Sequence, residues 1–580
     1  RLLPSVVITN GRQARRTMGK VGTSAVVAAI LAFAVLPARG AGQSPPGGQG
    51  PGQQGQPPGE PPQPPGEPAA PGGGSGQEQP FSRIRWIEQH ELPYPGEPNP
   101  LAPAPPPTTV LPDFVLLAAA RAFVDPAVTG PVRVNNDLLP PGNATNPWSQ
   151  AEPDIAVNPF DENNLVAVYQ ESRFRDGGAR ALNYATSKDG GLTWVEGSLP
   201  HLTQELGGPW ERASDPWVAF GPDNRVYYVT LDFNDTNPAN QVGVSVSIDG
   251  GLTWGAPVTV FGADLDFNDK EAIEVDTIPA SPHFGNVYVA WDINIDQGQG
   301  FAAQHLVVAR STDGGASYRS PVVLRTAGAN IGAIPRVGPD GTVYVMWAGT
   351  SPGTGWGIYL ASSSNGGVTF SSPRRIQSLQ SLSVPFVRDG AILPSMAVDR
   401  VSGDLYLVWT DARWTGVDQA TLSYSRDKGT TWSPPIRVSS GPGDAPTFTP
   451  AVAVNGRGEV AVSYSSLEND PARGFAIDQY VSISRNRGVS FPERRRLSPV
   501  TSDIRWAAWS REYFLGDYTG IAAGADRFHL LWVFPLLPTP TPPPPPADGI
   551  IGLDPPPGIG APAPIAPLRL QSDVFYSSTR

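Results

Sequence analysis

The chain of 580 residues has no cysteine, five histidines and three methionines. Without cysteine there is no disulfide, no thiolate nucleophile and no thiolate metal site. His90, His201, His283, His305 and His529 do not fall at metal-ligand spacings. Charge is sparse, 16 % of residues, and leans acidic, with 53 Asp and Glu against 41 Lys and Arg for a formal net charge of −12. That balance, with no basic stripe interleaved with aromatics, argues against nucleic acid as a partner. Helical apolar stripes are missing as well. The N-terminal apolar run, Ser24 to Leu36, has about 13 residues, short of the ~20 needed to cross a bilayer, so no transmembrane anchor is expected in the mature chain.

Glycine (64) and proline (67) are abundant instead, and many of them sit in two stretches that cannot bury a core. Arg15, Arg16 and Lys20 precede the apolar run, and Pro37-Ala38-Arg39-Gly40-Ala41 follows it. This reads as an export signal region, 1–40, with Sec and Tat both open and Met18 an alternative start. It predicts a secreted or periplasmic, cell-envelope location. Residues 41–105 read as a disordered Pro/Gly/Gln-rich linker, and 106–127 as a short helical or irregular cap built on LPDFVLLAAARAFVD. The Pro-rich stretch 535–569 reads as an exposed insertion.

The rest repeats itself. SKDGGLTW (187–194) returns as SIDGGLTW (247–254), STDGGASY (311–318), SSNGGVTF (363–370), SRDKGTTW (425–432) and SRNRGVSF (484–491), at intervals of 52 to 64 residues. In such a turn a short Asp or Asn side chain accepts bonds from nearby backbone N–H groups and the glycine permits φ > 0. The closing aromatic restarts a strand and wedges between sheets, where it is expected to bury most of its area. Ahead of each copy lies a second repeated pattern of strand, polar turn and strand ending in an aromatic, as in DIAVNPFDENNLVAVY (154–169) and AIPRVGPDGTVYVMW (333–347). This pattern occurs seven times, the last as GDYTGIAAGADRFHLLW (516–532).

Four antiparallel strands per 50 to 65 residues are the dimensions of a propeller blade. The expected fold is therefore all-β: a seven-bladed β-propeller over 128–580, made of four-stranded antiparallel blades with six Asp boxes. PVRVNN (131–136) should close the ring beside the C-terminal strand SDVFYSST (572–579).

These repeats resemble the Asp-box (BNR-repeat) sialidase-like β-propeller superfamily, specifically the exo-α-sialidase-like exported bacterial proteins, over about Pro131 to Arg580. The resemblance implies a glycoside hydrolase acting on extracellular glycans, with three arginines gripping a substrate carboxylate, a tyrosine nucleophile paired with a glutamate, and an aspartate acid/base. The family's early Arg-Ile-Pro signature is absent: Arg83-Ile84-Arg85 lies upstream and lacks the proline. The family's enzymes are also six-bladed.

Strand alternation puts the Asp boxes on one face. The loops leading into first strands and out of second strands share the other face, where function is expected. That face collects Glu152, Asp154, Arg212, Asp215, Asp269, Lys270, Glu271, Arg388, Asp389, Arg511, Glu512, Asp517 and Tyr518, with Glu171, Arg173, Asp232, Asp292, Asp411 and Arg413 from the exits. For each of them, capping a sheet end or pairing between blades is the structural alternative. The expected site is Tyr518 with Glu271 or Glu152 as nucleophile pair, Asp215 or Asp517 as acid/base, and Arg388, Arg413 and Arg173 as carboxylate clamp. No cofactor is expected, and no metal: Asp264, Asp266, Asn268, Asp269 and Glu271 alternate like a calcium loop, but its sixth-position Gly and twelfth-position Glu are missing. The expected partner is a glycan or glycoconjugate. A non-catalytic propeller binding a glycan or an envelope protein is the alternative.

Overall fold

Short β-branched and aromatic runs bounded by Gly, Asp and Asn form strands along the whole repeat region. The structure, a computed structural model, describes residues 125–140, 145–296, 301–441, 444–469, 474–535 and 572–580, and no α-helix occurs among them. The export signal region and linker lie outside the described residues. So does the predicted cap, apart from 125–127, and so does the insertion after Pro535, the last residue of a strand.

The fold is an all-β propeller of small antiparallel sheets. The first strands of the seven repeat units face a common axis, where they line a cavity of about 310 Å³. Seven separate sheets are expected from the repeats, whereas pairing yields five sheets of four or more strands: one of twelve, three of four and one of five. The difference arises at two single pairings, Ala179 with Ala213 and Ser149 with Ser572. These merge the strands of 145–198, 212–263 and 520–579 into the twelve-stranded sheet. Val128–Arg133 joins the same sheet, antiparallel to Ser572–Thr579.

Second strands form the centre of the core, with Tyr169, Trp291, Trp347, Trp409, Tyr464 and Trp532 buried. An indole N–H removed from water needs an acceptor. First-strand asparagines provide two: Trp291 donates to Asn268 at 2.8 Å and Trp347 to Asn330 at 3.1 Å. The repeated turns share one hydrogen-bond scheme. In the first, the Leu192 and Thr193 N–H groups and the Thr193 hydroxyl donate to the Asp189 carboxylate, while the Gly191 N–H donates to the Ser187 hydroxyl. A Cβ at Gly191 would overlap the Tyr576 ring, so only glycine lets this turn close on the C-terminal strand. Among the closing aromatics only Trp254 is fully buried; Trp194, Tyr318, Phe370, Trp432 and Phe491 are partly exposed. Each of these five rings is partly covered by its surroundings and partly open to solvent.

A second regularity positions the site. First strands shift register by one residue between Ala151 and Asp154, Ser214 and Trp217, Asp269 and Ala272, Ile331 and Ile334, and Phe448 and Ala451. At each bulge one residue is left-handed: Glu152 (φ 52°), Asp215 (φ 50°), Lys270 (φ 51°), Gly332 (φ 71°) and Thr449 (φ 46°). Bulges re-aim side chains, and the same bulge repeated around the axis carries charged residues of successive units toward one place.

Candidate functional site

Three of those bulge residues meet around one ammonium group. Lys270 Nζ lies 2.9 Å from Asp215, 2.8 Å from Asp517 and 3.9 Å from Glu152. Arg388 holds Asp517 from the other side, Nε at 3.1 Å and Nη2 at 2.7 Å. Glu152 accepts from the Gln170 amide, which also donates to Ser214 Oγ at 2.9 Å and receives the Arg173 guanidinium on its oxygen. Arg173 and Arg388 both lie against the Phe514 ring, 4.3 and 4.9 Å from its centroid, and each reaches Ser510 Oγ at 3.4 Å.

This group sits at the end of the axis away from the repeated turns, under a small sheet outside the four-strand pattern. Val387–Arg388 runs parallel to Glu512–Phe514, which folds back antiparallel onto Ala508–Ser510. Phe514 hangs from this roof and the two guanidiniums stack on it. Glu152, Arg173, Asp215 and Asp517 are buried, and Lys270 and Arg388 are nearly so.

Burial governs the protonation states. Loss of solvent and the nearby Asp215 push Glu152 up to about 8, against the pull of Lys270 and Arg173. Burial lowers Arg173, partly countered by Glu152. Burial also disfavours the Lys270 charge, but Asp215 and Asp517 outweigh it and hold the ammonium well above its usual value. Asp517 shows the reverse balance, held below the carboxylate range because Arg388 and Lys270 outweigh its own burial. With Glu152 protonated at neutral pH, three cations face the carboxylates of Asp215 and Asp517. Glu512, half-buried at the roof edge, is pushed up to about 7 by burial, with Arg388 pulling the other way.

Of the residues expected from sequence, Glu152, Asp215, Asp517, Arg173 and Arg388 come together here. Tyr518 and Glu271 lie just below, beside Lys270 and Asp517 around a small mid-axis cavity of about 40 Å³. The Tyr518 hydroxyl donates to the Pro216 carbonyl at 3.1 Å and its ring packs 5.0 Å from Trp217; burial and then Glu152 hold it well above 10. Among the described residues no other residue hydrogen-bonds the Glu271 carboxyl group, and burial, then Asp215, raise it well above its usual value against the pull of its own backbone N–H. Arg413 does not join them: its guanidinium is taken by both oxygens of Asp411, 2.7 Å each, and by the Ser378 carbonyl at 2.9 Å.

Lys270 and Glu512 are visible in the sequence among many polar residues, but nothing there assigns either of them a role. Aligning AEPD, SDPW and DKEA on their second residue is the signal that puts Lys270 beside Glu152 and Asp215. Gln170, Ser510 and Phe514 carry no sequence signal, being ordinary strand residues until the roof brings them over the arginines. Among the described residues no group of three or more His, Asp or Glu side chains is placed to hold a metal ion.

No family model matches the chain, and no curated protein is similar to it in sequence. The similarities found are to solved structures, compared by their coordinates. A Hadza microbial sialidase is similar over 61 % of this chain and 70 % of its own, with 14 % identity and a TM-score of 0.40. The Trypanosoma rangeli sialidase is similar over 56 % and 53 %, with 16 % identity and a TM-score of 0.36. A Fusarium graminearum α-L-arabinofuranosidase is similar over 63 % and 99 %, with 14 % identity and a TM-score of 0.42.

Proposed function

We propose that this protein is a glycoside hydrolase of exo-α-sialidase type, acting on an anionic terminal sugar of extracellular glycans. The observation that carries the reading is the pair Arg173 and Arg388, two guanidiniums stacked on Phe514 and turned toward Ser510 beside carboxyl groups that titrate near neutral pH. Guanidinium forks suit a carboxylate, and a positive, water-poor cluster attracts an anion strongly. Groups that exchange a proton near the working pH suit general acid–base chemistry.

In this reading Arg173 and Arg388 grip the substrate carboxylate. Tyr518, paired with Glu152 or Glu271, attacks the anomeric carbon as its C–O bond to the leaving group breaks. The glutamate takes the phenol proton only in its ionised form, which for Glu152 means above about 8, and a neutral phenol approaches an anionic sugar where a carboxylate would be repelled. Asp215 keeps the acid/base role. Asp517, locked as an anion between Arg388 and Lys270, positions them, and Glu512 is a second candidate for the general acid. Arg413 contributes no third fork, because it lies against Trp409 and not against the Phe514 ring that Arg173 and Arg388 share.

We further propose that the protein works outside the cytoplasm, from the signal-like region 1–40, and that the twelve-stranded sheet consists of three blades, which brings the count to seven.

The test is release of 4-methylumbelliferone from its sialic acid conjugate, beside a panel of neutral glycosides. Turnover is expected to fall by several orders of magnitude in Arg388→Ala and Tyr518→Phe, with circular dichroism confirming the fold. Silence across the panel from folded protein sinks the enzymatic reading. It favours a non-catalytic binding propeller, a reading supported by how fully the cluster's charges already satisfy one another beneath the roof.

A further inference from the structure

The roof sheet has a second face. Side chains alternate along a strand, so Phe514 points inward to the guanidiniums while Tyr513 and, directly across from it, Trp509 lie on the opposite side, Tyr513 buried and Trp509 partly exposed. The Tyr513 ring lies 5.3 Å from Trp509 and 6.4 Å from Phe475, which lies 6.2 Å from Phe386. The Arg505 guanidinium covers Phe475 at 4.6 Å and is itself bound to the Asp503 carboxylate, 2.9 Å from Nε. Phe386 is the outermost ring, 62 % exposed, on a backbone with φ 68°.

A bulky aromatic residue at positive φ is an outlier. Strain of that kind persists where the surroundings impose it, and it gathers at functional sites. Here the Phe386 carbonyl accepts the Tyr513 N–H at 3.1 Å, which pins the loop to the roof. Stability gains little from a ring left in water, so holding it there calls for a ligand.

We propose that Phe386, Phe475 and Trp509, packed around the buried Tyr513, form a platform for a neutral pyranose unit of an oligosaccharide. The inference rests on the glycan reading above. A pyranose has one face of C–H groups and a rim of hydroxyls. Phe386 and Phe475, tilted 41° to one another, offer apolar ring surface to the C–H face, and Arg505 with Asp503 offers polar groups at its edge. The same short strands carry Arg388 and Phe514 on their inner side, so a saccharide crossing the roof edge past Glu512 has its neutral unit outside and its anionic unit over the arginines.

The platform is tested by saturation-transfer NMR on the full chain with lactose, cellotriose and maltotriose. Saturation of sugar C–H protons is expected for at least one of them, with binding roughly 3- to 10-fold weaker in Phe386→Ala, the range an aromatic contact supplies, and restored in Phe386→Tyr. Phe386→Gly is expected to keep or raise the melting temperature, since glycine relieves the left-handed strain, while losing the sugar. Absence of saturation with all three sugars, or equal binding by wild type and Phe386→Gly, overturns the platform. The sialic acid conjugate has no neutral pyranose, so its turnover reports on the enzymatic reading alone. Sugar binding without turnover leaves the platform standing, and turnover without sugar binding removes only the platform.

Discussion

Single side chains here act through charges and bonds they cannot exchange with water. Lys270 is the clearest case: it compensates Asp215 and Asp517 while mostly buried. Lys270→Met leaves those carboxylates facing each other, and a loss of about 3–5 kcal/mol in unfolding free energy is expected from denaturant titration. Glu512, the half-buried acid beside Arg388, is expected to set a pH limb of turnover near 7 that disappears in Glu512→Gln. At the repeated turns the chemistry is gentler. Bonds from the Thr193 hydroxyl and backbone N–H hold Asp189 down to about 2. Asn365 and Asn486 occupy the same place in other units and accept the same backbone bond. Asp189→Asn should therefore be nearly neutral, while Asp189→Ala should lower stability by about 1–2 kcal/mol in thermal unfolding.

The first-strand bulge decides more than any one residue at the scale of elements. Because it recurs with the same left-handed residue, it turns a linear repeat into a convergence of Glu152, Asp215 and Lys270. Gly332 occupies that position in the next unit. An added Cβ would meet Leu393 Cδ2 at 2.6 Å on a backbone with φ 71°, so Gly332→Ala is expected to cost at least about 1–2 kcal/mol, measured by urea unfolding. The four-strand units and their turns are legible in the sequence because period-two apolarity and Gly-Asp turns are local signals. The bulge is legible only after the units are aligned. The roof is not legible at all, since Val387–Arg388 and Glu512–Phe514 are pieces of two connecting segments more than a hundred residues apart.

At the scale of the whole molecule two consequences follow from the ring and its buried acids. Closure depends on Tyr576, which stacks edge-on with Trp194 at 5.1 Å and donates to the Gly190 carbonyl at 3.1 Å. Tyr576→Ala should cost about 3–5 kcal/mol, the range for removing a buried aromatic, and should be visible as a lowered melting temperature. The buried carboxyl groups set the response to pH. Glu152 and Glu171 are raised from 4.5 to about 8, and Asp154 and Asp232 from 3.8 to about 7, burial being the first cause in each. In that window the folded state holds protons that the unfolded chain has released, so the contribution is complete below 3.8 for the two aspartates and below 4.5 for the two glutamates and declines toward pH 8. The melting temperature is expected to fall between pH 5 and pH 8, and Glu152→Gln should flatten part of the fall. A melting temperature that rises across that interval contradicts the burial of these acids.

Local pattern was enough for the class of fold. Alternating apolar residues, the six-fold turn motif and the strand beside the C-terminus are short-range features, and short-range sterics and hydrogen bonding make them readable in order along the chain. Tertiary structure alone decided which charges meet. Sequence listed Arg173, Arg388 and Arg413 on equal terms, but only the first two share the Phe514 ring, while Asp411 takes the third. It also decided that two single pairings would merge sheets the repeats kept apart. The reason is the same in each case: burial, bulge geometry and cross-axis distance depend on where distant segments come to rest, and the charge on a buried group depends on its neighbours in space.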